Sequence, residues 1–189
     1  FGSPALFKNP SDWSPDGRFV LFRSVDPKTG NDIWAMPVSD GRPFPVVQTN
    51  FDERDGQFSP DGKWIAYQSN ETGSFEVWAR SFPGPGTRIR ISNNGGTQVR
   101  WRPDGKELFY IAMNGRLMAV PVEFGPQSRT LHVGTAVPLF VTRIGGAWQG
   151  NNRQQYMVAP DGQRFLMNTV AAEATSTITV IQNWKRRPN

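Results

Sequence analysis

Few residues in this 189-residue chain could carry out acid–base, nucleophilic or metal chemistry. The chain has one histidine, His132, and no cysteine. A histidine that acts as a general base needs an orienting partner and a nucleophile, and no G-x-S-x-G motif is present. The acidic stretches at 26–32 and 52–56 lack the D-x-[DN]-x-[DN]-G spacing of calcium loops. We therefore expect no catalytic residue, no metal and no cofactor.

The acidic residues that recur most regularly are four aspartates, each within a short turn sequence. WSPDG ends at residue 17, FSPDG at 62, WRPDG at 105 and VAPDG at 162. Proline suits the second position of a type I turn, and the glycine allows a positive φ where the turn ends. A catalytic motif is needed once, whereas a corner that returns at a nearly constant period indicates a repeated scaffold. We interpret Asp16, Asp61, Asp104 and Asp161 as turn residues.

Each corner is followed by short apolar runs that are typical of strands. The first runs cover residues 18–24, 63–69, 106–112 and 163–169, and the second runs cover 32–38, 75–82, 116–122 and 177–183. Three repeats add a third segment, at 43–49, 87–92 and 136–142. Apolar residues that are adjacent rather than alternating indicate strands buried on both faces.

Units of this length and strand content are typical of propeller blades. We therefore predict an all-β propeller that occupies residues 1–189 as a single domain, with four recognisable blades of antiparallel strands. The predicted blades cover approximately 9–49, 50–92, 93–142 and 143–184, and the third blade carries an insertion at 123–135.

Residues 1–8 are predicted to form a strand that completes another blade. The segment at 3–9 is similar to the segment at 136–142, which is the outer strand predicted for the third blade. The amino-terminal strand either closes a four-bladed ring or belongs to a larger propeller of which this chain is a fragment. A half-ring could also form a homodimer, because unpaired blade edges invite pairing with another chain.

The loops opposite the corners differ from blade to blade, and such variable loops are typical of recognition surfaces. At this end of the blades the innermost strands begin, and polar residues take matching positions in three of them: Arg54, Asp55, Gln98 and Gln155. Trp148 and Arg153 come from the neighbouring Gly-rich loop, whose glycines would let the tryptophan move. Two charges and two amides suit a peptide terminus or a small polar ligand, so we predict that this set binds a partner.

The formal net charge of +5 and the sequence pI of about 10 favour the approach of acidic partners. The basic residues are scattered along the chain and do not concentrate on one predicted strand or helix, so we do not expect nucleic-acid binding. No apolar run approaches the roughly 18 residues that a membrane-spanning helix needs. We expect no membrane insertion of this segment.

The SPDG corner followed by KWIAYQSNETG resembles the WD-like propeller repeats of TolB and related periplasmic proteins, and the resemblance covers nearly the whole chain. FDERDGQFSPDGKWIAYQS, ISNNGGTQVRWRPDGKELFY and the ending ITVIQNW resemble the C-terminal propeller region of bacterial receptor-type serine/threonine kinases, abundant in acidobacteria. No kinase motif occurs in these residues. The resemblance implies a sensing or scaffolding propeller in the periplasm or at the bacterial cell surface, with any signal or anchor elsewhere in the parent gene.

We interpret the chain as a non-catalytic propeller that binds a protein, a peptide or a small polar ligand. A substrate-gating propeller of a prolyl-peptidase-like hydrolase is an alternative, which a hydrolase domain downstream in the parent gene would favour. A basic nucleic-acid-binding module is a second alternative, and it predicts binding that weakens steeply with salt.

Overall fold

The computed structural model describes residues 8–84, 86–144, 154–169 and 177–181, most of which lie in β-strands. The strands in chain order are β1 (Lys8–Trp13), β2 (Phe19–Asp26), β3 (Gly30–Pro37), β4 (Phe44–Val47), β5 (Glu53–Phe58), β6 (Trp64–Ser69), β7 (Glu76–Ser81), β8 (Arg88–Arg90), β9 (Thr97–Trp101), β10 (Glu107–Ile111), β11 (Arg116–Phe124), β12 (Leu131–Val133), β13 (Val137–Val141), β14 (Tyr156–Val158), β15 (Phe165–Thr169) and β16 (Thr177–Ile181). The helical content of the described residues is one short 3-10 turn, Pro126–Ser128.

The strands form four antiparallel sheets in which consecutive strands are neighbours, except that β12 and β13 both pair with β11. Blade 1 is β1-β2-β3-β4, blade 2 is β5-β6-β7-β8, blade 3 contains β9 to β13, and blade 4 contains β14-β15-β16. The predicted fold class is confirmed: the protein is an all-β propeller with four blades of antiparallel strands. Adjacent runs such as WIAYQS became strands because both of their faces are covered, and all six residues of β6 are buried.

The corners join the first strand of each blade to the second and are held by their own side chains. In blade 2, the Ser59 hydroxyl donates to the Asp61 carboxylate (2.6 Å) and accepts from the backbone N–H of Trp64 (2.9 Å). The N–H of Gly62 donates to the carbonyl of Ser59 (2.8 Å), and Gly62 has a φ of 70°. A glycine is favoured there because side chains crowd the backbone in the left-handed region. Asp61 therefore belongs to the turn.

One hydrophobic cluster fills each interface between consecutive blades. Trp64 and Trp101 both belong to the cluster between blades 2 and 3. Leu21 and Tyr67 belong to the cluster between blades 1 and 2. Phe109 and residues of blade 4 form the third cluster. No strand pairs across a blade boundary among the described residues, so apolar stacking and side-chain hydrogen bonds hold the blades together.

The outward face of blade 4 is more exposed to solvent than the faces of blades 2 and 3. In β15 buried and exposed residues alternate, so Leu166 is 43% exposed, and Met157 on β14 is 61% exposed. A strand that is covered on one face shows this alternation. The inner blades therefore have two covered faces, whereas blade 4 presents an apolar face to solvent.

The predicted insertion at 123–135 extends the third blade rather than forming a simple loop. β11 continues to Phe124, and β12 returns to pair with it, so that β12 and β13 lie along different halves of β11. The turn between β11 and β12 reaches blade 2, where the Trp64 indole N–H donates to the carbonyl of Ser128 (2.8 Å).

The predicted strand over residues 1–8 lies outside the described residues except for Lys8, which begins β1 and pairs with Ser24. Within the described part of the chain, no helix has the length and hydropathy needed to cross a membrane.

Candidate functional site

Irregular pairing marks the beginnings of the innermost strands. The register between β5 and β6 shifts between Arg54 and Gln57, and β9 shows a corresponding shift against β10. Asp55 and Gln98 occupy these irregular positions, and both have a φ of 55°. A positive φ is uncommon for residues other than glycine, so two blades share the same unusual backbone at matching positions.

The two predicted glutamines, Gln98 and Gln155, are brought together in a relay of amide groups that crosses three blades. The side-chain oxygen of Gln68 in blade 2 accepts from the backbone N–H of Gln98 (2.9 Å). The side-chain oxygen of Gln98 accepts from the backbone N–H of Gln155 (2.8 Å), and Asn168 donates to the side chain of Gln155 (2.9 Å). Gln98 is 1% exposed. These amides join blades, and Gln98 is not accessible to a ligand.

A second relay, for which the sequence prediction named no residue, lies closer to the corners. The Asp12 carboxylate accepts from the N–H of Phe58 (2.7 Å), and the Gln57 side-chain oxygen accepts from Arg100 (2.5 Å). Arg100 also donates to the carbonyl of Tyr156 (3.3 Å), so the relay extends from blade 1 to blade 4.

A sequence signal for this relay exists. Asp12, Gln57 and Arg100 each stand immediately before the aromatic residue of a corner sequence, whereas the fourth repeat has Met157 there. A polar residue at the same position of three repeats, within an otherwise apolar strand, indicates hydrogen bonding between repeats.

Arg54 is on β5 and contacts residues of its own blade. Its guanidinium forms an ion pair with Asp52 (2.9 Å) and lies over the ring of Phe75, 5.1 Å from the ring centroid. The Arg54 side chain is 12% exposed. These contacts fix the guanidinium beside Asp55 and reduce the charge that it offers to a ligand.

Asp55 lies on β5, one of the innermost strands, which in a propeller line the central axis. The charged residues near it lie on the innermost strands β5 and β9 and on β2, the second strand of blade 1. Burial raises the pKa of Asp55, and the positive charges of Arg23, Arg100 and Arg54 lower it in part. Arg23 comes from blade 1 and Arg100 from blade 3, so the group spans three blades. We call Arg23, Arg54, Asp55 and Arg100 the axial cluster.

The axial cluster has three cationic groups and one carboxylate. The Nε atom of Arg23 is buried and has no hydrogen-bond partner within the described ranges. A buried guanidinium N–H that lacks a partner favours an acceptor, such as a carboxylate oxygen. Among the same residues, no group of three or more histidine, cysteine, aspartate or glutamate side chains could hold a metal ion. The arrangement is suited to binding an anionic or strongly polar group.

Of the six candidates from the sequence, the structure places Arg54 beside Asp55 and joins Gln98 to Gln155. Trp148 and Arg153 lie outside the described residues. Arg23 was missed because a charged residue within an apolar run gives no indication of the axis until the blades are stacked. Arg100 was not among the six candidates, although its position before the corner aromatic is a usable signal.

The stacked four-blade arrangement defines the chain as a β-propeller, and its similarities are to TolB and other propeller proteins. In sequence the chain is 24% identical over 160 residues to an uncharacterized protein of Agrobacterium fabrum, covering 81% of this chain and 52% of that protein. It is 34% identical over 82 residues to the Tol-Pal system protein TolB of Anaeromyxobacter dehalogenans, covering 43% of this chain and 18% of that protein. No family model matches.

Solved structures agree with this fold. TolB from Acinetobacter baumannii superimposes with a TM-score of 0.69 at 19% identity, covering 96% of this chain and 42% of that chain. Structures of similar fold also include peptidases, so the fold by itself does not assign a catalytic or non-catalytic role. The chain spans about half, or less, of the length of the Agrobacterium and Anaeromyxobacter relatives.

Proposed function

We propose that this propeller is a non-catalytic binding module whose axial cluster takes the carboxyl terminus of a partner protein or peptide. The observation that carries the proposal is that arginines from three blades lie near enough to Asp55 to lower its pKa, and that the buried Nε atom of Arg23 has no hydrogen-bond partner among the described residues. Because these charged side chains are already held in place, ligand binding would cost little conformational entropy. The similarity to TolB proteins supports a general binding role.

Peptide binding tests this proposal. Fluorescein-labelled hexapeptides of mixed sequence, each prepared with a free or an amidated carboxyl terminus, are titrated with the protein and followed by anisotropy. Free carboxylates are expected to bind more tightly than the amides. Arg23→Ala should weaken binding about tenfold, because it removes a charge-assisted hydrogen bond. Asp55→Asn should strengthen binding, because it removes a like charge.

Arg18→Ala is the matched control, because Arg18 is exposed in the corner at the opposite end of blade 1. Its affinity should stay within about twofold of the parent. The proposal is wrong if free and amidated peptides bind equally, or if Asp55→Asn weakens binding as much as Arg23→Ala. The second outcome would indicate that the two variants disturb the packing of the axis and not the charge of the site.

We further propose that the module lies outside the cytoplasm as part of a longer bacterial protein. The resemblance of three segments to the propeller region of receptor-type kinases supports this, and so does the similarity to TolB. The order of domains in the parent gene tests the proposal. A kinase domain and a membrane span upstream would support it, whereas a hydrolase domain downstream would favour substrate gating.

A further inference from the structure

An open cavity lies between blades 2 and 3, at the rim opposite the corners and apart from the axial cluster. Its volume is about 840 Å³, within the range typical of ligand pockets. Its walls are the loop between β8 and β9, the turn between β10 and β11, and the link between β12 and β13. The loops of this rim differ between blades, which is typical of surfaces used for recognition.

The cavity has a positive wall. Among the described residues that line it, two are arginines, Arg90 and Arg116, and none is acidic. Arg90 is held in place by its ion pair with Glu76 (3.2 Å) and by donating to the carbonyls of Ser92 and Asn93. Glu76 balances part of the Arg90 charge, so the more accessible positive group is the exposed Arg116. A guanidinium binds a carboxylate through two parallel hydrogen bonds of good geometry.

The remaining walls combine amides with apolar surface. Asn93, Asn94 and Asn114 line the cavity, and side-chain amides can both donate to and accept from a peptide backbone. Met113 is 40% exposed at one wall, and Met118 lines the cavity as well. Methionine side chains adapt to apolar groups of varied shape. An acidic peptide has matching carboxylates, backbone amides and apolar side chains.

We propose that this cavity binds an extended acidic peptide segment of a partner protein, with a carboxylate on Arg116 and apolar side chains against Met113 and Met118. The site is separate from the axial cluster and recognises internal side chains, whereas the axial cluster is proposed to take a free terminus. The net positive charge of the chain assists the approach of such a segment.

The experiment uses two labelled peptides of opposite charge, GELELEG and GKLKLKG, both acetylated and amidated so that neither has a free terminus. Fluorescence anisotropy is measured at low salt with the full chain. GELELEG is expected to bind and GKLKLKG is not. Arg116→Glu should weaken GELELEG binding by about tenfold or more, because it reverses the charge that faces the carboxylate.

Arg42→Glu is the matched control, since Arg42 is exposed like Arg116 but lies outside the cavity, in blade 1. It makes the same change in net charge and should alter the affinity by less than about twofold. If Arg116→Glu does not fold, Thr135→Glu at the exposed opposite wall serves as the second variant. The proposal is overturned if GELELEG does not bind at about 1 mM protein. It is also overturned if Arg116→Glu and Arg42→Glu weaken GELELEG binding equally, or if Arg23→Ala weakens it as much as Arg116→Glu does.

Discussion

Glu53 shows how a single buried side chain makes the stability of this protein depend on pH. It is fully buried, and its carboxylate accepts from Thr49 (2.6 Å) and Ser69 (3.3 Å). Burial raises the pKa of Glu53, and the nearby charge of Asp32 raises it further. The folded state therefore binds this proton more tightly than the unfolded state. The contribution of protonated Glu53 to the free energy of unfolding is complete below the pKa that Glu53 has in the unfolded state. It is lost as the pH rises through the pKa that Glu53 has in the folded state.

We predict that Glu53→Gln reduces the pH dependence of unfolding. Relative to the parent, the variant should gain free energy of unfolding as the pH rises from about 4 to about 8, because it has no buried charge to form. Urea unfolding at a series of pH values measures the difference between the two proteins. Glu123→Gln is the control, because Glu123 is exposed on β11. Parallel curves for the parent and Glu53→Gln would contradict the prediction.

At the scale of the elements, the amide relay makes neighbouring blades depend on each other. The Gln98 side-chain oxygen accepts from the backbone N–H of Gln155 in blade 4, and the backbone N–H of Gln98 donates to Gln68 in blade 2. Removing the Gln98 side chain takes away the acceptor that it provides for the half-buried N–H of Gln155. We predict that Gln98→Ala lowers the free energy of unfolding by about 1–3 kcal/mol beyond the cost of placing alanine at a positive φ. Chemical denaturation measures this value.

Gln127→Ala supplies the matched control. Gln127 also has a φ of 55°, but it is exposed in the short 3-10 turn. Both variants replace glutamine by alanine on the same unusual backbone, so their difference isolates the relay. Equal losses in the two variants would show that backbone conformation, and not the amide relay, carries the cost.

At the scale of the whole molecule, blade 4 has an exposed apolar face and three strands within the described residues. The similarity between residues 3–9 and 136–142 predicts that the amino-terminal segment completes a blade. Deleting residues 1–7 should then lower the melting temperature or change the oligomeric state, because several backbone hydrogen bonds worth roughly 1 kcal/mol each are lost. Thermal unfolding and light scattering measure the two properties.

Replacing Leu6 and Phe7 together by aspartate provides a second variant that keeps the chain length. It should act like the deletion, since charged side chains are unfavourable on a buried strand face. An unaltered melting temperature and mass in both variants would argue against an amino-terminal strand.

The sequence by itself determined the strands, the corners and the number of blades. These features depend on local chemistry: a proline fixes one turn residue, a glycine permits another, and the apolar runs between them are short enough for strands. The four copies reinforced one another, because a pattern that occurs once is ambiguous and a pattern that returns is not. Four of the six candidate site residues fall among the described residues, and they lie on the innermost strands or directly before them.

Only the tertiary structure decided what those residues do. Gln98 contacts a residue 57 positions away, and its interaction with Gln68 spans 30 positions, so no local pattern indicates that it joins blades instead of facing a ligand. Arg23 becomes part of the axial cluster through the stacking of blade 1 on blade 2. The cavity beside Arg116 likewise exists because two blades meet there. Such contacts depend on the packing angle between separate sheets. The repeated sequence pattern specifies each sheet, but it does not specify how neighbouring sheets pack against each other.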